Sequence, residues 1–390
     1  MVEANVKKIT DNKPIYAGIF LVVCGLGGVY FRAFLLGALV RDVALPSFLA
    51  SNIIAASAAG ILLGNVFMLL KVHKWNRKKI ALAAIFCMLI SNVSGIFFHQ
   101  YEDLIVILFL SGLGEGTLVA LGSAVIAGSS NVARFVGLQT VMGSTVAAGT
   151  AFGAPYFIEW EGINGIFMFL LLFPCIAFFS TRWLMAFPST RIDQESHSAS
   201  SVNMTKTAFS ILATLVMFTG IGMFWPFLET IVMASGVSSS VFGIAVSIGM
   251  FLGGVVALAA TVLGDRYGYF LPSVVGASVM ALAAMISMLT LTEAMVLLLV
   301  PVYLMASMLL VVYHNAFLAS LDTRGRVYVF GVTMESLGAI LGPLVAGVVI
   351  RMGGGYQAVT WLFVGAAVVY CLMRGMCFIN VESHKKSLSF

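Results

Sequence analysis

The chain reads as an all-α integral membrane protein, twelve transmembrane helices arranged as two pseudo-repeated six-helix bundles. Three observations predict this. Twelve separate apolar stretches have spanning length; a helix needs about 20 mainly apolar residues to cross hydrocarbon, and these runs are far too long for the strands of a barrel, the other structure that hydrocarbon admits. Basic residues gather in alternate gaps between the stretches. One polar, Ser-rich segment divides the stretches six and six.

Taken in order, the first span, 14–40, follows a polar stretch of about 13 residues and is too long for a signal-peptide core, with no small-residue cleavage pattern, so it is expected to stay. The second, 47–70, and third, 79–99, are separated by the basic run Lys71 to Lys79; the fourth, 103–127, carries Glu115 among Gly112, Gly114 and Gly116. Span five, 135–159, is glycine-rich and contains Pro155; span six is 163–187. After the linker 188–205 come spans seven, 206–235, with Phe224-Trp225-Pro226-Phe227, and eight, 238–263. Spans nine to twelve are 270–291, 294–319, 327–351 and 357–379. The predicted domains are therefore 1–187 and 206–390, joined by 188–205.

Charge gives the orientation. Lys71, Lys74, Arg77, Lys78, Lys79, Arg134, Arg191, Lys206, Arg266, Arg324, Arg326, Lys385 and Lys386 fall on the side of the termini, whereas Asp42, Glu102, Asp103, Glu159, Glu161 and Glu293 fall opposite, with Arg41 and Arg351. The positive-inside bias makes both termini cytoplasmic. The short loops suit a bacterial inner membrane. Composition agrees, with 61% hydrophobic and 9% charged residues and a net charge of +5. That charge is dispersed over loops rather than gathered on one face, so no nucleic-acid partner is implied; membrane lipid headgroups are the expected contact. Cys24, Cys87, Cys175, Cys371 and Cys377 lie inside spans without metal-ligand spacing, so free thiols are expected and no disulfide. No phosphate-cradling loop, H-E-x-x-H or zinc pattern occurs, and neither cofactor nor metal is predicted.

An internal repeat with an offset of about 193 residues supports the six-and-six division. Gly60 in span two matches Gly253 in span eight, the basic loop Lys74–Lys79 matches Asp265–Phe270, and Arg134-Phe-Val-Gly137 is answered by Arg326-Val-Tyr-Val-Phe-Gly331. Parallel six-helix repeats with a midplane site between them are a transporter plan.

Three features resemble the major facilitator superfamily over essentially the whole chain. The loop Gly264-Asp265-Arg266-Tyr267-Gly268 is similar to the family's G-x-x-x-D-R-x-G-R-R signature, lacking its first Gly and final basic pair. Its first-half counterpart has His73 and Asn76 where the family has Asp and Gly. The resemblance implies that Asp265 and Arg266 belong to a gate, with Asp265 favoured near a helix N-terminus. In span five, Gly143-x5-Gly149-x3-Gly153-Ala154-Pro155 is similar to the motif that marks exchangers and exporters; span eleven echoes it with Gly338-x3-Gly342-Pro343-x3-Gly347. The other reading is close helix packing and bending, which such residues produce anyway.

The third feature is ionisable residues at membrane depth, costly unless they face a cavity or a partner. Arg32 lies roughly 12 Å deep and Glu115 roughly 18 Å, from the helical rise per residue. An Arg side chain covers that difference, and the resemblance implies that the first and fourth helices of each half line the cavity. Either Glu115 exchanges a proton and competes with an anionic solute for Arg32, or the two form a static pair. Glu229, a turn beyond Trp225, is expected to face the same cavity, where the aromatic run suits an amphipathic or aromatic solute, cations included; the alternative is an interfacial belt with a nearly exposed carboxylate. His314 and Glu335 sit at matching depth on consecutive spans and are expected to meet, as a proton relay, a gate latch or a structural hydrogen bond.

The sequence thus predicts a non-enzymatic secondary transporter that moves a small organic solute by alternating access, coupled to protons, with antiport export favoured over symport or facilitated uptake of an organic anion. A monomer is expected. A transporter-like receptor that binds without moving its ligand is the alternative of another class.

Overall fold

The computed structural model describes residues 12–71, 76–129, 132–184, 204–264, 266–321 and 326–387. Among these there is no strand, and eleven helical spans are long and apolar enough to cross a membrane. The ninth span is a shorter apolar helix, Phe270–Ile286. It stops five residues before the predicted end because Ser287 turns its hydroxyl onto the Ala284 carbonyl, and Thr292 then caps the next helix through the Met295 N–H. Of the predicted linker, only the last two residues are described; they open the helix Met204–Phe224.

Three spans are broken, each at a place the local sequence explains. Span one is two helices, Lys13–Gly25 and Gly27–Arg41, with the break in a Gly-Leu-Gly-Gly run. In span seven, the 3-10 turn Trp225–Phe227 separates Met204–Phe224 from Leu228–Ala234; Pro226 lacks the N–H that a continuous helix needs. Span six divides into Ile163–Leu170 and Leu172–Ser180, three residues before Pro174 would have clashed with its preceding turn.

Glycine sets the tightest packing inside the first half. Spans two (Ser47–Lys71) and four (Tyr101–Ala127) meet almost backbone to backbone: a Cβ on Gly60 would strike the Phe109 carbonyl, on Gly64 the Leu113 carbonyl, on Gly112 the Ser57 carbonyl and on Gly116 that of Ile61. Span three (Arg77–Phe97) lies against the other side of span four. In the second half, Gly338 and Gly342 of span eleven (Arg326–Arg351) are pressed in the same way onto Phe218–Met223 of span seven.

The halves meet through span two on span eleven, span five (Val132–Glu161) on span eight (Ser239–Leu263), and the end of span one on span seven. Pro155 packs directly against Gly243, and Gly347 against Ser51 and Phe48. The polar and ring contacts between halves lie towards the face away from the termini, here called distal. They include Ser47 Oγ with Tyr356 Oη (2.9 Å), Ser240 Oγ donating to Glu159 Oε1 (2.8 Å), Arg351 over the Phe48 ring (5.4 Å) and Phe34 edge-on to Phe242 (5.4 Å). The distal end of the interface is therefore sealed.

Candidate functional site

The break in span one builds the site. With no side chains at Gly25 and Gly28, span four comes close enough for its Glu115 to lay its carboxylate on Gly28, where a Cβ would occupy the same space. Glu115 is buried. Its Oε1 lies 3.3 Å from Ser111 Oγ, which is also 3.2 Å from Asn92 Oδ1. One hydroxyl carries one proton. With the Asn92 amide turned to present its nitrogen, the relay runs from Asn92 to Ser111 to Glu115 Oε1 and both contacts of the hydroxyl are accounted for. The second carboxylate oxygen, Oε2, has no hydrogen-bond partner.

Arg32 stands one helical turn beyond Gly28 on the same face, and helical side chains lean back towards the N-terminus, hence towards Glu115. The two charges interact without closing a salt bridge. Among the described residues, Arg41 Nε with Asp42 Oδ1, at 2.9 Å, is an ion pair that does close. Arg32 is only half-buried, yet its Nε is enclosed and has no partner. A cation and a carboxylate thus face each other within one bundle, each with an unsatisfied polar atom, an arrangement that is costly unless a solute, water or proton completes it.

Across from span one, the turn Trp225–Phe227 packs on the helix that carries Arg32. Trp225 and Tyr303 lie parallel, with ring centroids 6.2 Å apart and 4° between planes, and Phe224 stacks on Phe363 at 5.1 Å. Tyr303 is buried with no partner for its hydroxyl. Glu229, a turn further on, is not nearly exposed: it is fully buried in the distal seal, accepting from Ser239 Oγ of span eight with Oε1 and placing Oε2 against Gly37 of span one.

His314 and Glu335 have different partners. The His314 ring is buried between Thr214 of span seven (2.8 Å) and Tyr370 of span twelve (3.1 Å), whereas Asn315, one residue on, is the neighbour of Glu335. Asp265 lies outside the described residues. Arg266 is exposed in a turn framed by Gly264 and Gly268, whose φ of +57° and +65° suit glycine. In the exporter-like pattern, Gly143 faces Tyr30 Oη, Gly153 faces Phe169, and nothing lies within 4 Å of where a Gly149 Cβ would stand.

One polar centre was not anticipated. Arg374 of span twelve (Gly355–Ser387) is 2% exposed, sits 3.8 Å over the Phe317 ring, and donates from Nη2 to the Tyr269 carbonyl (3.0 Å) and Ser273 Oγ (3.3 Å). It ties together spans nine, ten and twelve where the loop Gly264–Tyr269 ends. Its position inside a predicted span is the same signal that singled out Arg32; Asn92 and Ser111 carried none, being ordinary small polar residues of membrane helices.

Residues 210–389 match the Major Facilitator Superfamily model. No curated protein matches the sequence. Among solved structures, the crystal structure of a point mutant of the nucleoside transporter NupG has the same fold, with a TM-score of 0.72 over 94% of this chain and 100% of that one, at 16% identity. With the sequence match over its second half and the shared fold over nearly its whole length, the chain is similar to the major facilitator superfamily.

Proposed function

We propose that the protein is a proton-coupled secondary transporter in which Glu115 carries the proton and Arg32 binds the solute or its charge. The observation that supports this most directly is the incomplete Arg32–Glu115 pair: both groups keep an unpartnered polar atom, on either side of a glycine gap. In the proposed cycle a proton on Glu115 frees Arg32 for an anionic or strongly hydrogen-bonding group, and its release lets the two charges attract again. The aromatic surface of Trp225 and Tyr303 holds the apolar part of the solute. Glu229 serves the distal gate, because opening that seal would expose its carboxylate to water. The domains are the bundles 1–187 and 206–390 hinged by 188–205, with the termini in the cytoplasm of a bacterial cell.

Antiport export is the direction we favour, on the likeness of span five to exporter helices. Uptake by symport is the second reading; Arg32, partly accessible and with its Nε unpartnered, favours it as an anion anchor. Reconstituted vesicles with an imposed pH gradient separate the two. Export by antiport predicts solute movement against the proton flow, symport predicts movement with it, and flux indifferent to the gradient would refute proton coupling.

A further inference from the structure

Besides the interior site, the first half carries a groove of about 890 Å³ between spans two and three, floored by span four. Its walls are apolar: Leu63 on span two, Ala83 and Ala84 on span three, Leu113 beneath. The floor's one hydroxyl, on Thr117, is spent on the Leu113 carbonyl. The groove opens to the membrane, since Ala83 lies on the same stripe of span three as Phe86 and Ile90, which are 64% and 51% exposed. Small residues make it. Spans two and four are drawn together by glycines, whereas along the middle of the groove span three presents the small side chains of Ala83, Ala84 and Cys87, so the volume between them is left unfilled by protein.

Polarity returns at one end only. There Asn76 and Lys79 line the mouth, at the start of span three, where Arg77, Lys78 and Lys79 occupy the first turn with no acid among them. The backbone adds to that charge, because Asn76 caps the helix and the macrodipole is positive at this terminus. Three cations at the positive end of a dipole repel one another, and an anion at the mouth relieves the repulsion. An apolar slot with a cationic mouth at one end fits a ligand that is apolar along its body and anionic at its end.

We propose that this groove is a binding site for an anionic phospholipid of the leaflet on the side of the termini, its phosphate held at Lys79 and one acyl chain lying between Leu63 and Ala83. The site bears on function through its floor. Leu113 and Gly114 immediately precede Glu115, so the chain props the outer face of the segment whose inner face carries the carboxylate.

The test is native mass spectrometry of protein released from vesicles of equimolar phosphatidylglycerol and phosphatidylcholine. Wild type is expected to retain phosphatidylglycerol in preference. Ala83→Trp, which fills the groove from a position that faces lipid, should lose the adduct while its thermal unfolding stays as in wild type; Phe251→Trp, on the exposed surface of span eight, should keep it. Lys79→Gln should lower the preference about fivefold, the weight of one basic residue near an anionic membrane surface. Equal retention of both lipids by wild type, an unchanged adduct in Ala83→Trp, or a preference for phosphatidylcholine, a sterol or detergent would each overturn the assignment.

Discussion

Replacing Gly28 by Ala tests the closeness of Glu115 to span one through the sign of its effect. In the structure the new methyl would stand 2.7 Å from both Oε2 and Cδ of Glu115, and nearer still to Oε1. No rotamer relieves a methyl group. The carboxylate must move, which strains or breaks its contact with Ser111 at 3.3 Å. Overpacking of this kind costs about 1–3 kcal/mol. Against it, Ala gains only a few tenths of a kcal/mol in helix propensity so near a helix start. Gly28→Ala should therefore lower the apparent Tm of the purified protein by a few degrees. In a Glu115→Ala background the obstacle is gone, and the same substitution should be neutral or slightly stabilising, a coupling of about 1–3 kcal/mol between contacting sites. Thermal unfolding of the four proteins in one detergent closes the cycle. An equal drop in both backgrounds would mean that the carboxylate does not rest on Gly28, and the reading of the Arg32–Glu115 site would fall with it.

Three further outcomes follow from the same geometry. Glu115→Gln, which keeps the shape and the Ser111 contact, should abolish flux driven by a pH gradient while leaving unfolding near wild type; unaltered pH-driven flux would remove the proton role. Arg32→Ala should lose stabilisation by anionic solutes but keep it for cations in a thermal-shift panel, and equal loss for both would make the residue a structural partner only. Arg374→Ala should cost about 2–4 kcal/mol, the sum expected for a buried cation–π contact and charge-assisted hydrogen bonds, and should raise hydrogen exchange at the start of span nine; wild-type protection of residues 270–276 would show that Arg374 does not hold that end.

Most of the architecture was legible in the sequence because each span is a local property: twenty apolar residues declare themselves without reference to their neighbours. The proximity of Arg32 and Glu115 was legible too, since depth on a helix follows from counting residues. What could not be read was which face met which. Glu229 lies at the depth inferred for it, but its burial depends on the absence of a side chain at Gly37, on a helix nearly two hundred positions away in the chain. His314 and Glu335 stand on consecutive spans at matching depth, yet the His ring is taken by hydroxyls of spans seven and twelve. Arg374 finds a benzene ring rather than an acid, and an acid is what a search for charge partners looks for.

The glycine seam between spans two and four has a consequence for how this half can change. Gly60, Gly64, Gly112 and Gly116 each face the opposite backbone rather than a side chain. A main chain cannot rotate aside as a leucine can, so tolerance at these four places is a step and not a slope. Diversity introduced there in a library would be purged wholesale, while the sides of the same helices turned to lipid stay free to drift. The seam makes the two helices a single beam. Whatever moves during turnover, the floor that bears Glu115 and the wall that faces the other half will travel as one body.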